Sequence, residues 1–298
     1  MLFLQQLING VSLGSIYALI ALGYTMVYGI VKLINFAHGD ILMVGAYTAF
    51  FVLSAIGAGP VGMLFAFLVS MIVCCIFGLT IERCAYRPLR QAPRLNSLIT
   101  AIAVSLLLQN GARVLPFIGP NPRMFPGPRM FNIQLFGDGG LLISNIQLIV
   151  IVLSALLMLA LNYIVNHTKW GKAMQAVSFD KGASSLMGVS VNGIIAFTFG
   201  LGAALAAAGG VLFASAYPQV NPLMGMMPGL KAFIAAIIGG IGSIPGAMIG
   251  GFILGITEAL TRGFGPSQYA DAISFSILII VLLIKPTGIM GKKFQVKV

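Results

Sequence analysis

Only two histidines, His38 and His167, are available in 298 residues to act as a general base. Neither stands in a Ser-His-Asp or Cys-His pattern, and neither has a metal-ligand neighbour at useful spacing. His167 sits in a charged turn beside Asn166 and Lys169, where a histidine is ordinarily solvated. No enzyme activity and no metal site are expected. Nor is there a Walker A loop: Gly171-Lys172 and Gly291-Lys292 lack both the upstream glycine and the following Ser or Thr. If ATP drives this chain, it must be hydrolysed on another one, so no cofactor is expected here.

The remaining polar groups suit binding better than catalysis. Asn35-Phe36-Ala37-His38-Gly39-Asp40 is a compact polar patch between two apolar runs. It is either an interfacial loop with Asp40 capping the next helix, or a broken helix with backbone groups facing a cavity. Tyr217-Pro218-Gln219-Val220-Asn221-Pro222 is similar in chemistry, and its two prolines must interrupt any helix. Its polar side chains either line a mouth or face water. Lys231, Glu258 and Asp271 fall in or near apolar runs, where charge is costly. Glu258 and Arg262, four apart, read as a helix pair, and Lys231 and Asp271 as residues snorkelling to an interface.

One segment, 166–191, is a polar island with a helical pattern. Ala176, Phe179, Ala183, Leu186 and Met187 recur at three- and four-residue steps and gather into one apolar stripe. Lys181, Ser178 and Ser185 fall on the other face. The stripe must be buried either against the chain's own spans or against a separate subunit.

These residues have to be positioned by membrane-spanning helices. Hydrophobic residues make up 59% of the chain and charged residues 8%, against about 25% charge in a soluble domain. The apolar runs exceed the roughly 18 residues that mark a spanning helix. We therefore expect an all-α integral membrane protein, a polytopic bundle of about eight transmembrane helices within a range of roughly seven to ten. The run starting at Phe3 lacks a basic flank and reads as a retained helix rather than a signal peptide. The net charge of +11 invites a nucleic-acid partner, but its distribution excludes one. Arg83, Arg87, Arg90 and Arg94, then Lys169, Lys172 and Lys181, then Lys285, Lys292, Lys293 and Lys297 each follow an apolar run, as cytoplasmic loops do. That puts a basic loop at 83–96 and the island at 166–191 inside. It leaves the proline-rich segment 117–145 outside as an extended loop. Cys74, Cys75 and Cys84 read as free thiols. The whole of 1–298 reads as one transmembrane domain.

Leu230–Leu260 is too long for one span and is broken at Gly239–Gly246, so it is either two helices with a tight turn or two half-helices dipping into the membrane. Gly242, Gly246 and Gly250, and Gly251 with Gly255, are four apart, the spacing of glycine-rich helix packing. A short internal echo links Asn35 and Gly39 with Asn221 and Gly225, a hint of two related halves.

The chain resembles the shorter of the two permease subunits of bacterial high-affinity branched-chain amino-acid ABC transporters. The likeness runs end to end. It rests on Gly23-Tyr24-Thr25-Met26-Val27-Tyr28-Gly29-Ile30, Ile34-Asn35-Phe36-Ala37-His38-Gly39, Ile81-Glu82-Arg83 and Ala85-Tyr86-Arg87-Pro88. It continues through Lys231-Ala232-Phe233, the glycine-rich stretch from Gly239 to Gly251, and Lys285-Pro286-Thr287-Gly288-Ile289.

This resemblance implies an importer of leucine, isoleucine and valine in the bacterial inner membrane, working by alternating access. Its partners would be a second homologous permease, two cytoplasmic ABC ATPase subunits carrying the ATP, and a periplasmic amino-acid-binding protein. Gly171 through Gly188 matches the ATPase-coupling segment, which places Gly171, Ala176, Phe179, Asp180, Ala183, Leu186, Met187 and Gly188 at that contact. Phe179 stands where related segments carry an acid, which bears on the ATPase that fits. A zwitterionic substrate needs apolar walls and dipoles for its charged ends. Asn35, His38, Tyr217 and Asn221 are the polar groups expected along the translocation path. A urea or short-amide permease shares most of these motifs, and an ATP-independent channel or ion-coupled carrier is the alternative of another class.

Overall fold

The computed structural model describes residues 2–32, 35–90, 92–128, 131–135 and 141–291. Ile34, Lys292, Lys293 and Lys297 lie outside the described residues, as does the side chain of Arg94. The helices are α1 (Leu2–Val31), α2 (His38–Ile56), α3 (Pro60–Ile81), α4 (Arg94–Val114), α5 (Asn145–His167), α6 (Lys169–Phe179), α7 (Lys181–Leu186), α8 (Val191–Ala216), α9 (Met226–Gly239), α10 (Ile244–Phe264) and α11 (Tyr269–Ile284). A π-helical turn, Glu82–Tyr86, and a 3-10 turn, Arg87–Leu89, continue α3. Several helix starts follow cap chemistry legible in the sequence. Ser144, Thr168, Asp180, Ser190 and Ser243 each accept a backbone N–H from the first turn that follows.

Among the described residues, seven helices are long and apolar enough to cross a membrane: α1, α2, α3 with its extension, α4, α5, α8 and α10. Two more are apolar but shorter, α9 with 14 residues and α11 with 16. At 1.5 Å per residue, α9 reaches only about 21 Å through a hydrocarbon core roughly 30 Å thick. The long region Leu230–Leu260 is thus a shortened helix, about two-thirds of a span, turning into a full one. Gly240 and Gly242 make the turn with φ of 103° and 95°, a conformation glycine adopts without steric cost. Gly242, expected in a packing row, belongs to this turn instead. The rest of the glycine pattern divides between two faces of α10. A Cβ at Gly250 would fall on the Ala235 carbonyl of α9, and one at Gly255 on the Gly14 backbone of α1.

The segment 117–145 contains no helix among its described residues before α5. It forms β1 (Arg123–Met124) and the hairpin of β2 (Asn132–Leu135) and β3 (Leu141–Ser144). β1 pairs antiparallel with β4 (Gln219–Val220), the strand that follows α8. This end of the bundle also holds the start of α1, since Phe3 meets Phe264 and Gln5 bonds the Leu142 backbone. The basic residues Arg83, Arg87, Arg90, Lys169 and Lys172 gather at the other end.

Two three-helix units are related by internal inverted symmetry. α1 runs from the strand end to the basic end, and α8 runs back. α1 packs most extensively on α10, and α3 most extensively on α8. α2 lies against α3 and α8, while α9 lies against α10 and α1. Exchanging α1, α2, α3 for α8, α9, α10 maps each of these contacts onto its counterpart. The loops after α1 and α8 repeat the same local device. Asn35 Oδ1 accepts from Ala37 N at 3.1 Å, and Asn221 Oδ1 from Leu223 N at 3.0 Å, two Asx turns of one kind. The faint echo in the sequence is a structural repeat.

Candidate functional site

The two breaks meet inside the bundle. α2 and α9 both start there, and Gly39 and Gly225 touch backbone to backbone. A Cβ at Gly225 would land on the Gly39 carbonyl, and one at Gly39 would lie 2.6 Å from the Gly225 carbonyl oxygen. Both helices aim their N-terminal, positive dipole ends at this point. Beside it is a narrow pocket of about 10 Å³ lined by Tyr24, Asn35, His38 and Phe233, among others. It has room for about one water. The centre is closed in this conformation.

His38 is buried with its ring 4.5 Å from that of Tyr24, and its Nε2 has no hydrogen-bond partner among the described residues. Asn35 is buried too, and its Oδ1 also accepts the Tyr86 hydroxyl at 2.7 Å. Asp40 does not cap α2, whose N-cap is Ala37. It sits in the first turn, and its Oδ1 accepts from Gln109 Nε2 at 2.9 Å. Of the four polar groups expected along a path, Asn35 and His38 share the central pocket. Tyr217 lines a separate cavity at the strand end, and Asn221 caps the turn before α9. They are not brought into one cavity.

Tyr86 carries the central contact towards the basic end. It belongs to the π-helical turn after α3, where Glu82 is buried and ion-paired with Arg90. Arg90 also donates from Nη1 to Asn192 Oδ1 at 2.5 Å, on the first turn of α8. Burial pulls the Arg90 guanidinium below its ordinary pKa, and the Glu82 carboxylate opposes that pull. No motif in the sequence signals these bonds, which join residues up to 102 positions apart.

A second polar group lies towards the strand end and corrects the snorkelling expectation. Lys231 is buried and bridges Glu258 Oε1 and Asp271 Oδ1, both at 2.7 Å. Glu258 is wholly buried, with Oε1 also taking Arg262 at 2.5 Å and Oε2 taking the Tyr17 hydroxyl at 3.0 Å. The Glu258–Arg262 helix pair is present, but as one edge of a network joining α1, α9, α10 and α11. Beside it, a cavity of about 380 Å³ opens between α1, α5, α10 and the end of α8.

The island at 166–191 is two helices, not one. Asp180 ends α6 and caps α7, its Oδ1 accepting from Gly182 N at 2.7 Å and Ala183 N at 3.0 Å. The face packed on the bundle carries Gly171, Met174, Val177 and Ser184. Trp170 fixes it to α8 through Phe197, ring centroids 4.9 Å apart. The apolar stripe points the other way. Phe179, Leu186 and Met187 are 92%, 91% and 84% exposed, and Ala176 and Ala183 are exposed beside them. No span among the described residues covers it. Gly188 follows with φ of 82° and closes α7.

Comparison with known proteins fits this architecture. A family profile described as "Branched-chain amino acid transport system / permease component" matches residues 6–282. The chain belongs to this permease family. It is 45% identical to the high-affinity branched-chain amino acid transport system permease protein LivH of Salmonella typhimurium, over 97% of this chain and 96% of that protein. It is equally 45% identical to BraD of Pseudomonas aeruginosa, a permease of the same description, with the same coverage. Identity to LivH of Escherichia coli is 44%, again over 97% and 96%. As a family member with seven long apolar helices, the chain is a multi-pass transport protein of the bacterial inner membrane.

Proposed function

We propose that the chain is one transmembrane half of an ATP-driven importer for leucine, isoleucine and valine. The substrate class is that named for its relatives. The observation that carries the ATP-driven part is the uncovered stripe on α6 and α7. Phe179, Leu186 and Met187 project from the basic end, where no lipid covers them, and a helix-in-groove contact with a separate ATPase subunit would bury them. The basic loops at that end support a cytoplasmic orientation, and in this reading two ATPase subunits dock there. It leaves the strand end outside for a periplasmic amino-acid-binding protein. A second, homologous permease completes the path.

In this reading the chain performs no covalent chemistry. ATP-driven closure of the ATPases moves α6 and α7. Trp170 on Phe197, and Arg90 on Asn192, pass that movement to α8 and to the turn that holds Asn35. The Gly39–Gly225 contact, which has no interlocking side chains, is where the two inverted units separate to open the path. Leu186→Asp places a charge in the proposed groove and is expected to weaken ATPase association at least about thirtyfold, the scale of a lost interface anchor. Co-purification of wild-type and Leu186→Asp or Ala183→Asp chains with the ATPase tests it. Undiminished association of both variants would refute the contact. Leucine uptake by the purified single chain in liposomes would refute the ATP-driven reading as a whole.

A further inference from the structure

The cavity of about 380 Å³ at the strand end has no assigned role. Its volume falls within the roughly 300–1,000 Å³ of small-molecule sites. Its floor is apolar, from Leu13 and Ile16 of α1, and its rim is polar, from Asn9, Gln147, Tyr217 and Arg262. Tyr217 and Arg262 are partly exposed, so the cavity opens at that end. The rim amides are held in place, with Gln147 Nε2 donating to Asn9 Oδ1 at 2.8 Å and Asn9 Nδ2 to Gln6 Oε1 at 3.2 Å.

Among the described lining residues, Arg262 is the one that carries charge. Glu258 engages a single nitrogen of its guanidinium, Nη2. The remaining N–H groups have no partner among the described residues, and they are aligned by a carboxylate that is itself locked by Lys231 and Tyr17. A guanidinium pre-set in this way, with donors to spare, is built for a second carboxylate.

We infer that this cavity is an outer binding subsite for the substrate, with Arg262 pairing the α-carboxylate of an aliphatic amino acid. Leu13 and Ile16 receive the branched side chain. The Gln6 amide oxygen, which among the described residues accepts from Asn9 Nδ2 alone, and the Tyr217 hydroxyl lie on the rim that faces the α-ammonium. Glu258, Lys231 and Tyr17 are positioning residues: they hold the guanidinium and touch no substrate. The inference rests on the proposed import of branched-chain amino acids and adds where, on this chain, the amino acid is first held.

The test uses the permease–ATPase complex in lipid nanodiscs, without the binding protein, and equilibrium binding of radiolabelled leucine up to millimolar concentration. Saturable binding is expected, displaced by isoleucine and valine but not by leucinol, which lacks the carboxylate. Arg262→Gln should lower affinity about ten- to a hundredfold, the scale of a lost charge-assisted pair, and Arg262→Lys less. Ala216→Phe fills the cavity without touching the charge network and should abolish binding while the complex stays assembled. Absence of saturable binding, equal displacement by leucinol, or affinity unchanged in both Arg262→Gln and Ala216→Phe would overturn the subsite. So would binding seen only in nanodiscs lacking phosphatidylglycerol, which would give Arg262 to a lipid phosphate. ATP-driven uptake by the wild-type system with its binding protein is measured alongside. Uptake without this binding sinks the subsite alone, whereas no uptake sinks the import reading.

Discussion

Glu258 offers the sharpest energetic test of how this bundle holds its charges. It is wholly buried and accepts from Tyr17, Lys231 and Arg262. Glu258→Leu leaves Lys231 with only Asp271 and the Tyr17 hydroxyl with no acceptor. Removing one partner from a buried ionic contact costs about 3–5 kcal/mol. Lys231→Met is milder. Glu258 keeps two donors, and Asp271, whose side chain is 45% exposed, turns to water, so the cost is about 1–2 kcal/mol. In the double variant both buried charges are gone, and Arg262 and Asp271 are both exposed enough to be solvated. What remains is the orphaned Tyr17 hydroxyl, about 1–3 kcal/mol. The double variant should therefore be more stable than Glu258→Leu alone, although the single costs sum to about 4–7 kcal/mol. Equilibrium unfolding in mixed detergent micelles measures all four corners of the cycle. Additivity within about 0.5 kcal/mol would refute the network, because independent sites add to that precision.

Three further outcomes are expected. Gly225→Val puts a branched side chain onto the Gly39 carbonyl and should abolish transport and lower the thermal midpoint, whereas alanine at exposed Gly59, where an added Cβ meets nothing within 4 Å among the described residues, should change neither. Asn35→Ala leaves the buried Tyr86 hydroxyl unpaired and should cost about 1–3 kcal/mol, more than Tyr86→Phe, which removes the donor itself; thermal unfolding of the two variants compares them. Asp180→Ala removes the cap of α7 and should cost about 0.5–2 kcal/mol, seen as faster hydrogen exchange at Gly182 and Ala183 with the spans unaffected.

Hydropathy was enough to read the long helices, because a span announces itself by a run of apolar residues longer than a soluble core needs. Cap chemistry was harder to place, since Asp40, weighed as a cap, lies in the first turn of α2, while Ser144, Thr168, Ser190 and Ser243 hold the caps. Hydropathy says nothing about depth, so Leu230–Leu260 did not reveal that its first half is only 14 residues of helix starting inside the bundle. The period picked out Ala176, Phe179, Ala183, Leu186 and Met187, all of them exposed, but not their division, with Ala176 and Phe179 on α6 and Ala183 and Leu186 on α7 beyond the extended Asp180. The cap signal for the split is Asp180 itself, an aspartate before Lys-Gly-Ala-Ser. Lys231 stood out as a charge in an apolar run. Its partners did not, because they lie on α10 and α11, beyond the turn at Gly240–Ser243, and only the folded bundle sets them within 2.7 Å. For the same reason Tyr217 and Asn35 looked alike in sequence and sit in different cavities.

The network at Glu258 also has a mechanical meaning. It fastens α10 to α1, α9 and α11 near one end of the helix, while along the rest of its length α10 meets α1 and α9 largely through glycine. Smooth surfaces resist separation but offer little resistance to sliding. From Glu258 to Ile244 the helix runs about 21 Å, so a tilt of about 10° around that fastening would carry its far end about 4 Å. The backbone contact between Gly239 and Gly246 would make α9 follow. In such a tilt the buried charges would be the pivot, and the glycine faces the surface along which the arm slides.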